Sequence, residues 1–412
     1  WLSKDFFYTI KENIADEDST SGKLLVKSGM IKKIGNGIYA KMPLGERVTK
    51  KITDIVRKNM NKAGASELRM PSLLPMDVFE KSGRKNNFGP SMFKLNDRYN
   101  REYALGPTHE ELFTMAAMNK VKSYRDLHFT TYQIGPKFRD EVRPRLGLIR
   151  TREFTMKDAY SFDKDLEGLD VSYKKMFDAY HKIFKEIGLN YTVVRADTGV
   201  MGGLLSEEFQ AVTNIGEDIL VMCDKCDFSS NIEISPNAII TENNEEEKEL
   251  QLVETIGKHT IEEVCEYLKL DIKNTVKAML MNVDNELVIL FIRGDRELNE
   301  TKVLKLLGAN EIGFANDELI ATSNAVPGYT GPIGLNAKIV VDNEVLNMKN
   351  FCCGANKENY HYINANVKDF KYDIAGDIVN VKEGDTCPKC GGKLYFKKGI
   401  EVGNTFKPIG PV

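Results

Sequence analysis

Apolar residues recur at helical spacing in several separate places along the chain. Val48, Ile52, Ile55, Val56 and Met60 fall on one helical face, and Gly64 stands where that helix should stop. Met176, Phe177, Tyr180, Ile183, Phe184 and Ile187 trace a second stripe that Gly188 ends, a spacing that predicts core packing. Ile261, Val264, Cys265 and Leu268 form a third behind a capping box of Thr260 and Glu263, with Cys265 read as a buried thiol. Elsewhere the period shortens to that of strands. MIKKIGNGIYAKMPLG reads as turn and strand, ASELRMPSLLP and YTVVRAD as strands, and TVKAMLM and ELVILFIRG as a hairpin joined at Asp284-Asn285. Residues from 250 onward thus read as an α+β unit with its own core.

The stretch TYQIGPKFRDEVRPRLGLIRTREFTMKDAY, residues 131–160, carries two strand-like runs about a basic loop. Residues two apart share a strand face, so Arg139 and Glu141 point one way from the first run. By the same rule Arg150, Arg152, Phe154 and Asp158 share a face of the second. If the faces align, guanidinium forks and an exposed ring lie side by side, a surface suited to a flat base joined to phosphates. The plainer alternative is a sheet face laced with Arg–Glu pairs. In GPTHEELF, Thr108 and Glu111 read as a capping box opening a helix with Phe113, Ala116, Ala117 and Met118; Glu110 is not needed for that role.

Bulk properties narrow the field. The 412 residues allow two or three domains, and 42% hydrophobic with 28% charged residues is an ordinary globular composition. A net charge of -3 argues against non-specific coating of nucleic acid, so RNA contacts must be local. The local patch is Lys137, Arg139, Arg143, Arg145, Arg150, Arg152 and Lys157 against Asp140, Glu141 and Glu153. Leu287–Ile292, the longest aliphatic and aromatic run, is too short to span a bilayer. With no basic stretch and apolar core near Trp1, the expectation is a cytoplasmic protein without a membrane partner. The acidic run ENNEEEKE, 242–249, reads as a solvated surface or linker. Four of the seven cysteines form Cys223-x-x-Cys226 and Cys387-x-x-Cys390, the second followed by Gly-Gly. Two such knuckles can share one structural Zn²⁺; otherwise they are four reduced thiols.

Phe138-Arg139-x-Glu141, a loop, then Arg150-x-x-x-Phe154-x-x-x-Asp158 resembles motif 2 of the class II aminoacyl-tRNA synthetases. The wording FRDEVRPRLGLIRTREFTMKDAYSF is similar to the bacterial type of prolyl-tRNA synthetase. The resemblance implies an α+β fold: a class II antiparallel sheet flanked by helices, interrupted by an inserted α+β editing domain. It implies a catalytic domain over 1–222, the insertion over 223–395 with the cysteine pairs at its neck, and a return over 396–412. It also implies a homodimer through residues near 45–75, with Pro71 as the motif 1 proline. By position, Arg139 holds the amino-acid carboxylate and α-phosphate, Glu141 and Arg150 help fix ATP, and Phe154 stacks on adenine. Thr108 and Glu110 go to L-proline with Arg139, Asp197 and Glu207. Glu207 stands where many bacterial members have histidine, and Leu204 where they have a small polar residue.

TVKAML, RGDRELNE, AVPGYTGPIGL, VVDNEV and GANKENYHY resemble the editing insertion. Carried over by position, Lys277, Asp342 and His361 line a pocket that hydrolyses alanyl-tRNA(Pro), with Gly331 and Gly334 in the stretch that forms one wall. From the residues alone, Lys277 is equally a strand-edge charge, Asp342 a turn residue and His361 a solvent-facing or satisfied histidine. The implied activity is ATP- and Mg²⁺-dependent activation of proline and its transfer to tRNA(Pro). Motif 3 is expected beyond GIEVGNTFK and the anticodon-binding domain after it, so the chain reads as a fragment or a truncated relative. That leaves two rivals: a stand-alone alanyl-tRNA deacylase, or a non-catalytic tRNA-binding paralogue.

Overall fold

The computed structural model describes residues 4–12, 14–198, 203–238 and 243–408. Glu242 of the acidic run and 409–412 of the expected return lie outside them. The chain divides into two compact units: Trp1–Thr192, Thr198–Val212 and Ile400–Val412 form the first, Val193–Asp197 and Thr213–Gly399 the second.

In the first unit, α1 (Thr20–Lys27) starts where Ser19 Oγ accepts from the Gly22 amide at 3.0 Å. β1 (Ile31–Gly35) and β2 (Ile38–Lys41) pair as a hairpin. α2 (Pro43–Lys62) opens on a proline and ends before Gly64, whose φ of +84° a side chain would resist. The stripe is only partly internal. Met60 packs with Ala65 and Tyr132, whereas Val48 and Ile52 are 44% and 42% exposed. ASELRMPSLLP forms two short strands instead of one. β3 (Ser66–Glu67) runs parallel to β7 (Phe129–Phe138), and β4 (Leu73–Pro75) joins a separate sheet with β6 (Glu102–Leu105), flanked in turn by β5 (Lys94–Asn96). α3 (Asp77–Lys81) and α4 (Arg84–Asn87) lie between β4 and β5, and Leu74, Met76, Phe79, Met92 and Ala104 close a core there.

The hairpin of β7 and β8 (Glu153–Phe162) runs in unbroken register from Phe129↔Phe162 to Phe138↔Glu153. The expectation placed Arg139, Glu141, Arg150 and Arg152 on its strands; they lie in the 139–152 connection. Arg139 nevertheless extends the register by one pair, its amide donating to the Arg152 carbonyl at 3.0 Å. α5 (Glu110–Lys120) precedes the hairpin, with Phe113 and Ala117 inward but Ala116 and Met118 exposed. α6 (Leu166–Ile187) follows, capped by Asp165 and terminated by Gly188 at φ +81°. Its stripe packs Phe177, Tyr180 and Phe184 around the buried Phe209 of β10 (Leu205–Val212), beside Tyr191 of β9 (Tyr191–Arg195). Each such ring contributes roughly 1.5–3 kcal/mol by leaving water.

In the second unit, β11 (Asp218–Cys223) pairs antiparallel with β12 (Ser229–Asn231) and with β21 (Leu394–Lys407), which brings the two cysteine pairs to one place. The remaining strands build two sheets. β16 (Ile312–Phe314), β14 (Val276–Val283), β15 (Glu286–Arg293), β17 (Lys338–Asp342) and β20 (Ile374–Gly376) lie in that order; β13 (Gln251–Glu254), β19 (Tyr360–Ala365) and β18 (Phe351–Gly354) make the other. The turn between β14 and β15 has Asp284 and Asn285 at φ +46° and +69°, the left-handed pair that a tight hairpin demands. The apolar run 287–292 proves to be a central strand buried on both faces. Ile289 and Phe291 enter one core, and Val288, Leu290 and Ile292 another, where Val303 of α8 (Glu300–Leu307) packs. α7 (Ile261–Leu268) has the capping box predicted for Thr260 and Glu263, but Cys265 is half-buried. α9 (Asp317–Ile320) and α10 (Asn343–Leu346) complete the unit. Residues 244–249 are exposed, as expected of a solvated surface, and are anchored at their backbone: Asn350 Oδ1 accepts from the Lys248 amide at 2.7 Å, and Lys349 Nζ donates to the Glu245 carbonyl at 2.9 Å. Among the described residues no helix is long and apolar enough to cross a membrane.

Candidate active site and editing cavity

Antiparallel partners share a face, so the β7–β8 register sets Gln133, Gly135 and Lys137 beside Phe154, Met156 and Asp158. Lys157, of opposite parity, turns away, and its ammonium lies 4.1 Å over the Tyr180 ring of α6. On the first face a buried ion pair forms, Lys137 Nζ to Asp158 Oδ1 at 2.8 Å. The other Asp158 oxygen accepts from Gln133 Nε2 at 3.0 Å and from the Tyr160 hydroxyl at 2.9 Å. Burial lowers the Lys137 ammonium's pKa while Asp158 opposes the shift, and burial holds Tyr160 well above the usual phenol range, so it remains a donor.

The Tyr160 oxygen lies 3.4 Å from Thr108 Oγ1, which donates to Glu110 Oε2 at 2.6 Å. That same Glu110 oxygen meets Arg84 Nη1 at 3.1 Å. The capping box expected of Thr108 and Glu111 is therefore absent. Thr108 spends its hydroxyl on Glu110, and Glu111 accepts from Ser82 and Arg84, both at 2.9 Å. His109 Nε2 lies 2.9 Å from the Pro71 carbonyl, which can only accept, so that nitrogen carries the proton. Burial and then Lys137 lower the His109 pKa and keep the ring neutral.

At the open end of this face the Arg139 guanidinium carbon stands 5.5 Å from the centre of the Phe154 ring. Glu141 and Arg150 pair at 2.8 Å across the connecting loop, and that bond holds the Glu141 carboxyl below the usual range. A solvent-facing guanidinium over an aromatic ring, next to a carboxylate–guanidinium pair, can grip a planar base and the phosphate attached to it.

The second unit encloses a cavity of about 140 Å³. His259 and α7 supply one side, β14 from Val276 to Ala278 with Leu280 another, and Gly328, Thr330, the Cys352–Gly354 segment and His361 the rest. His361 is 7% exposed, its Nδ1 lies 2.7 Å from Thr255 Oγ1, and burial lowers its pKa to about 4, so the ring is neutral. Burial also lowers the pKa of Lys277 on the wall, against the pull of Glu297. A Cβ on Gly331 would lie 1.8 Å from the Gly354 carbonyl, so only glycine lets these backbones meet.

Elsewhere in this unit the four Sγ atoms of Cys223, Cys226, Cys387 and Cys390 lie within 4.8 Å of one another. Amides of Lys225, Lys389 and Gly392 point at three of the sulfurs at 3.3–3.4 Å. Four convergent sulfurs with N–H donors behind them fit a tetrahedral thiolate site.

A family model described as aminoacyl-tRNA editing domain matches residues 255–372, and one for the tRNA synthetase class II core domain (G, H, P, S and T) matches 93–264. Proline--tRNA ligases of Caldicellulosiruptor saccharolyticus, Caldicellulosiruptor bescii and Halothermothrix orenii are 48%, 47% and 46% identical to this chain, each over 98% of it and 72% of the relative. The chain belongs to the proline--tRNA ligase family. Its fold is accordingly the class II synthetase core with an editing domain.

Within that family frame, the residues singled out from the sequence separate into groups. Thr108, Glu110, Arg139, Glu141, Arg150 and Phe154 belong to the first unit and lie on or beside the β7–β8 face. Glu207 does not join them: it shares its strand face with Phe209, and its carboxylate accepts from Tyr173 of α6 at 2.5 Å, on the helix side. Asp197 lies in the second unit, 3.7 Å from Lys305 Nζ. Lys277 and His361 line the cavity, but Asp342 does not. It is 1% exposed and spends its oxygens on the Glu344 and Ile378 amides at 2.8 and 2.9 Å, capping α10. The turn-residue reading of Asp342 is the one that holds, and burial raises its carboxyl to about 6. Gly331 and Gly334, the latter at φ +70°, are likewise not among the residues lining the cavity, whose glycines are Gly328 and Gly354. Sequence reasoning passed over Gln133, Tyr160, Arg84 and Thr255. Of these, Tyr160 and Gln133 carried a signal, their even spacing from Asp158 and from Arg139.

Proposed function

We propose that this protein is a proline--tRNA ligase: it joins L-proline to ATP as prolyl adenylate, releases pyrophosphate, and passes the prolyl group to tRNA(Pro). The observation that carries the reading is the Arg139 guanidinium over Phe154, at the end of a face whose other end presents Thr108 and Glu110. In this reading adenine stacks on Phe154, and Glu141 and Arg150 hold the nucleotide. Arg139 brings the proline carboxylate and the α-phosphate together for in-line attack, so most of the acceleration comes from positioning and charge. Thr108 and Glu110 supply acceptors for the secondary ammonium. Mg²⁺ arriving with ATP would neutralise phosphate charge. Proline-dependent exchange of pyrophosphate into ATP by the complete gene product tests the reading. Exchange with proline and not with other amino acids is expected, and exchange driven by a different amino acid refutes it.

The second unit's cavity is read as the hydrolytic site for alanyl-tRNA(Pro). A proline pocket cannot exclude the smaller alanine, since a missing methylene is worth only about 1–3 kcal/mol in discrimination. A separate small cavity can accept what the first site admits wrongly. His361 there orients the ester or a water instead of carrying a proton, because burial leaves its imidazole a weak base. Changing His361 to alanine is expected to slow alanyl-tRNA hydrolysis by about 10²-fold while leaving proline activation intact. In the unaltered protein the hydrolysis rate should show no histidine titration above about pH 5. A rate that climbs through the ordinary histidine range would contradict the assignment.

Three further parts belong to the reading. Cys223, Cys226, Cys387 and Cys390 hold a structural zinc, so metal analysis should return about one zinc per chain and chelation should lower the melting temperature. Metal-free protein with an unchanged melting curve would refute this. Dimerisation runs through residues 45–75, supported by the exposure of Val48, Ile52 and Leu73 at 44%, 42% and 49%. The protein works in the cytoplasm, which agrees with seven cysteines none of which is in a disulfide.

A further inference from the structure

The 139–152 connection does not stand free. At its tip Arg145 and Arg150 exchange backbone hydrogen bonds at 3.1 and 3.2 Å, leaving Leu146–Ile149 as a tight turn. Leu146 sits at φ +61°, a conformation that a branched side chain seldom adopts without support. The support comes from far back in the chain: Asp18 Oδ1 accepts from the Leu146 amide at 2.9 Å. Beside it Gly147 and Gly22 meet backbone to backbone, so closely that a Cβ on Gly147 would lie 2.9 Å from the Gly22 Cα.

The segment that carries Asp18 is itself fixed. Glu17 is 3% exposed, and its Oε1 accepts from the Tyr39 hydroxyl of β2 at 2.8 Å. The β1–β2 turn then reaches the other limb of the loop, where the Gly37 carbonyl accepts from the Arg152 amide at 2.9 Å. Arg152 in turn accepts from the Arg139 amide through its carbonyl and donates from Nε to the Glu141 carbonyl at 3.1 Å. Backbone and side-chain hydrogen bonds therefore link residues 17–22 and the β1–β2 hairpin to Arg139 and Glu141.

We propose that residues 17–22 and the β1–β2 hairpin form a strap that holds the 139–152 loop, with Asp18 a positioning residue for nucleotide binding through the Glu141–Arg150 pair. The strap's role rests on the reading of that pair as ligands of ATP. Asp18 touches neither substrate nor reacting atoms. It stabilises a turn that the loop's own sequence disfavours, so without it the loop should sample other shapes and the ATP grip should loosen. Of the proline contacts, Thr108 and Glu110 lie outside the loop, and Arg139 is anchored through Arg152 and Gly37 on the limb away from the Asp18 turn, so they should be spared.

Pyrophosphate exchange by the complete gene product, titrated separately with ATP and with proline, tests this. Asp18→Ala is expected to raise the KM for ATP about fivefold to tenfold, on the scale of one ordinary hydrogen bond because Asp18 is exposed to solvent, with the KM for proline unchanged. Asp18→Asn should restore the wild-type value, because its amide oxygen still accepts from Leu146. Gly147→Ala, made from the loop side, should reproduce the ATP-selective defect and covers the case in which Asp18→Ala fails to fold. An unmoved KM for ATP in folded Asp18→Ala or Gly147→Ala, or ATP and proline values that rise together, would overturn the strap alone. A wild-type protein with no proline-dependent exchange would overturn the parent reading, and the strap's role with it.

Discussion

Replacing Arg139 with alanine is expected to lower proline-dependent pyrophosphate exchange by about 10²–10³-fold, the usual cost of removing one preorganised group that meets transition-state charge. The loss should appear in kcat as well as in KM, because the guanidinium holds attacking carboxylate and α-phosphate at once. Arg139→Lys should recover little, since an ammonium cannot reproduce the planar fork that spans two oxyanions. Hydrolysis of alanyl-tRNA should persist in both variants, because its cavity belongs to the other unit. A variant that loses both activities together would point to unfolding, and one that keeps exchange would remove Arg139 from the reaction.

Replacing Lys137 with methionine is expected to destabilise the first unit by about 3–5 kcal/mol, the penalty for leaving a buried charge without its partner. Lys137 is fully buried and Asp158 is 8% exposed, so solvent cannot take over the role of the ammonium. Asp158 would keep Gln133 and Tyr160 as donors but would lose the only cation bonded to it among the described residues. Pairing the change with Asp158→Leu should recover most of the loss, because a paired apolar replacement leaves no uncompensated charge. Denaturant unfolding followed by probes in each unit would measure this, since two compact units need not unfold together. A loss below about 1 kcal/mol would place the pair in the class of weak surface bridges and contradict its burial.

Where local chemistry suffices, the sequence was legible. The 287–292 run, the α6 stripe ended by Gly188 and the Asp284-Asn285 turn each follow from periodicity or backbone conformation. The two Thr-x-x-Glu patterns show where that stops. Thr260 and Glu263 face solvent and find each other's backbone, with the adjacent His259 amide also donating to Glu263, so the capping box forms. Thr108 and Glu111 lie near Arg84, Ser82 and Tyr160, and those long-range partners win. Likewise the parity rule put Arg139 and Phe154 on one face correctly, though the strands end at Phe138 and begin again at Glu153.

The second unit's cavity was the least legible feature, because its walls come from α7, β14, the 328–330 segment, β18 and β19. Nothing in VVDNEV distinguishes a carboxylate that lines a pocket from one that caps a helix; only the Ile378 amide, 36 residues away, decides it. Glu207 lies apart from the other candidates for a different reason. A strand residue has two faces to choose from, and Tyr173 on α6 claimed its carboxylate.

The central claim is that the open end of the β7–β8 face holds an activated nucleotide. A crystal structure of the complete gene product with a non-hydrolysable sulfamoyl analogue of prolyl adenylate tests it most directly. The account predicts the adenine flat against Phe154, the sulfamoyl group within hydrogen-bond reach of Arg139, and the pyrrolidine nitrogen near Thr108 and Glu110. An analogue seated elsewhere, or one whose adenine leaves the Phe154 ring bare, would contradict it.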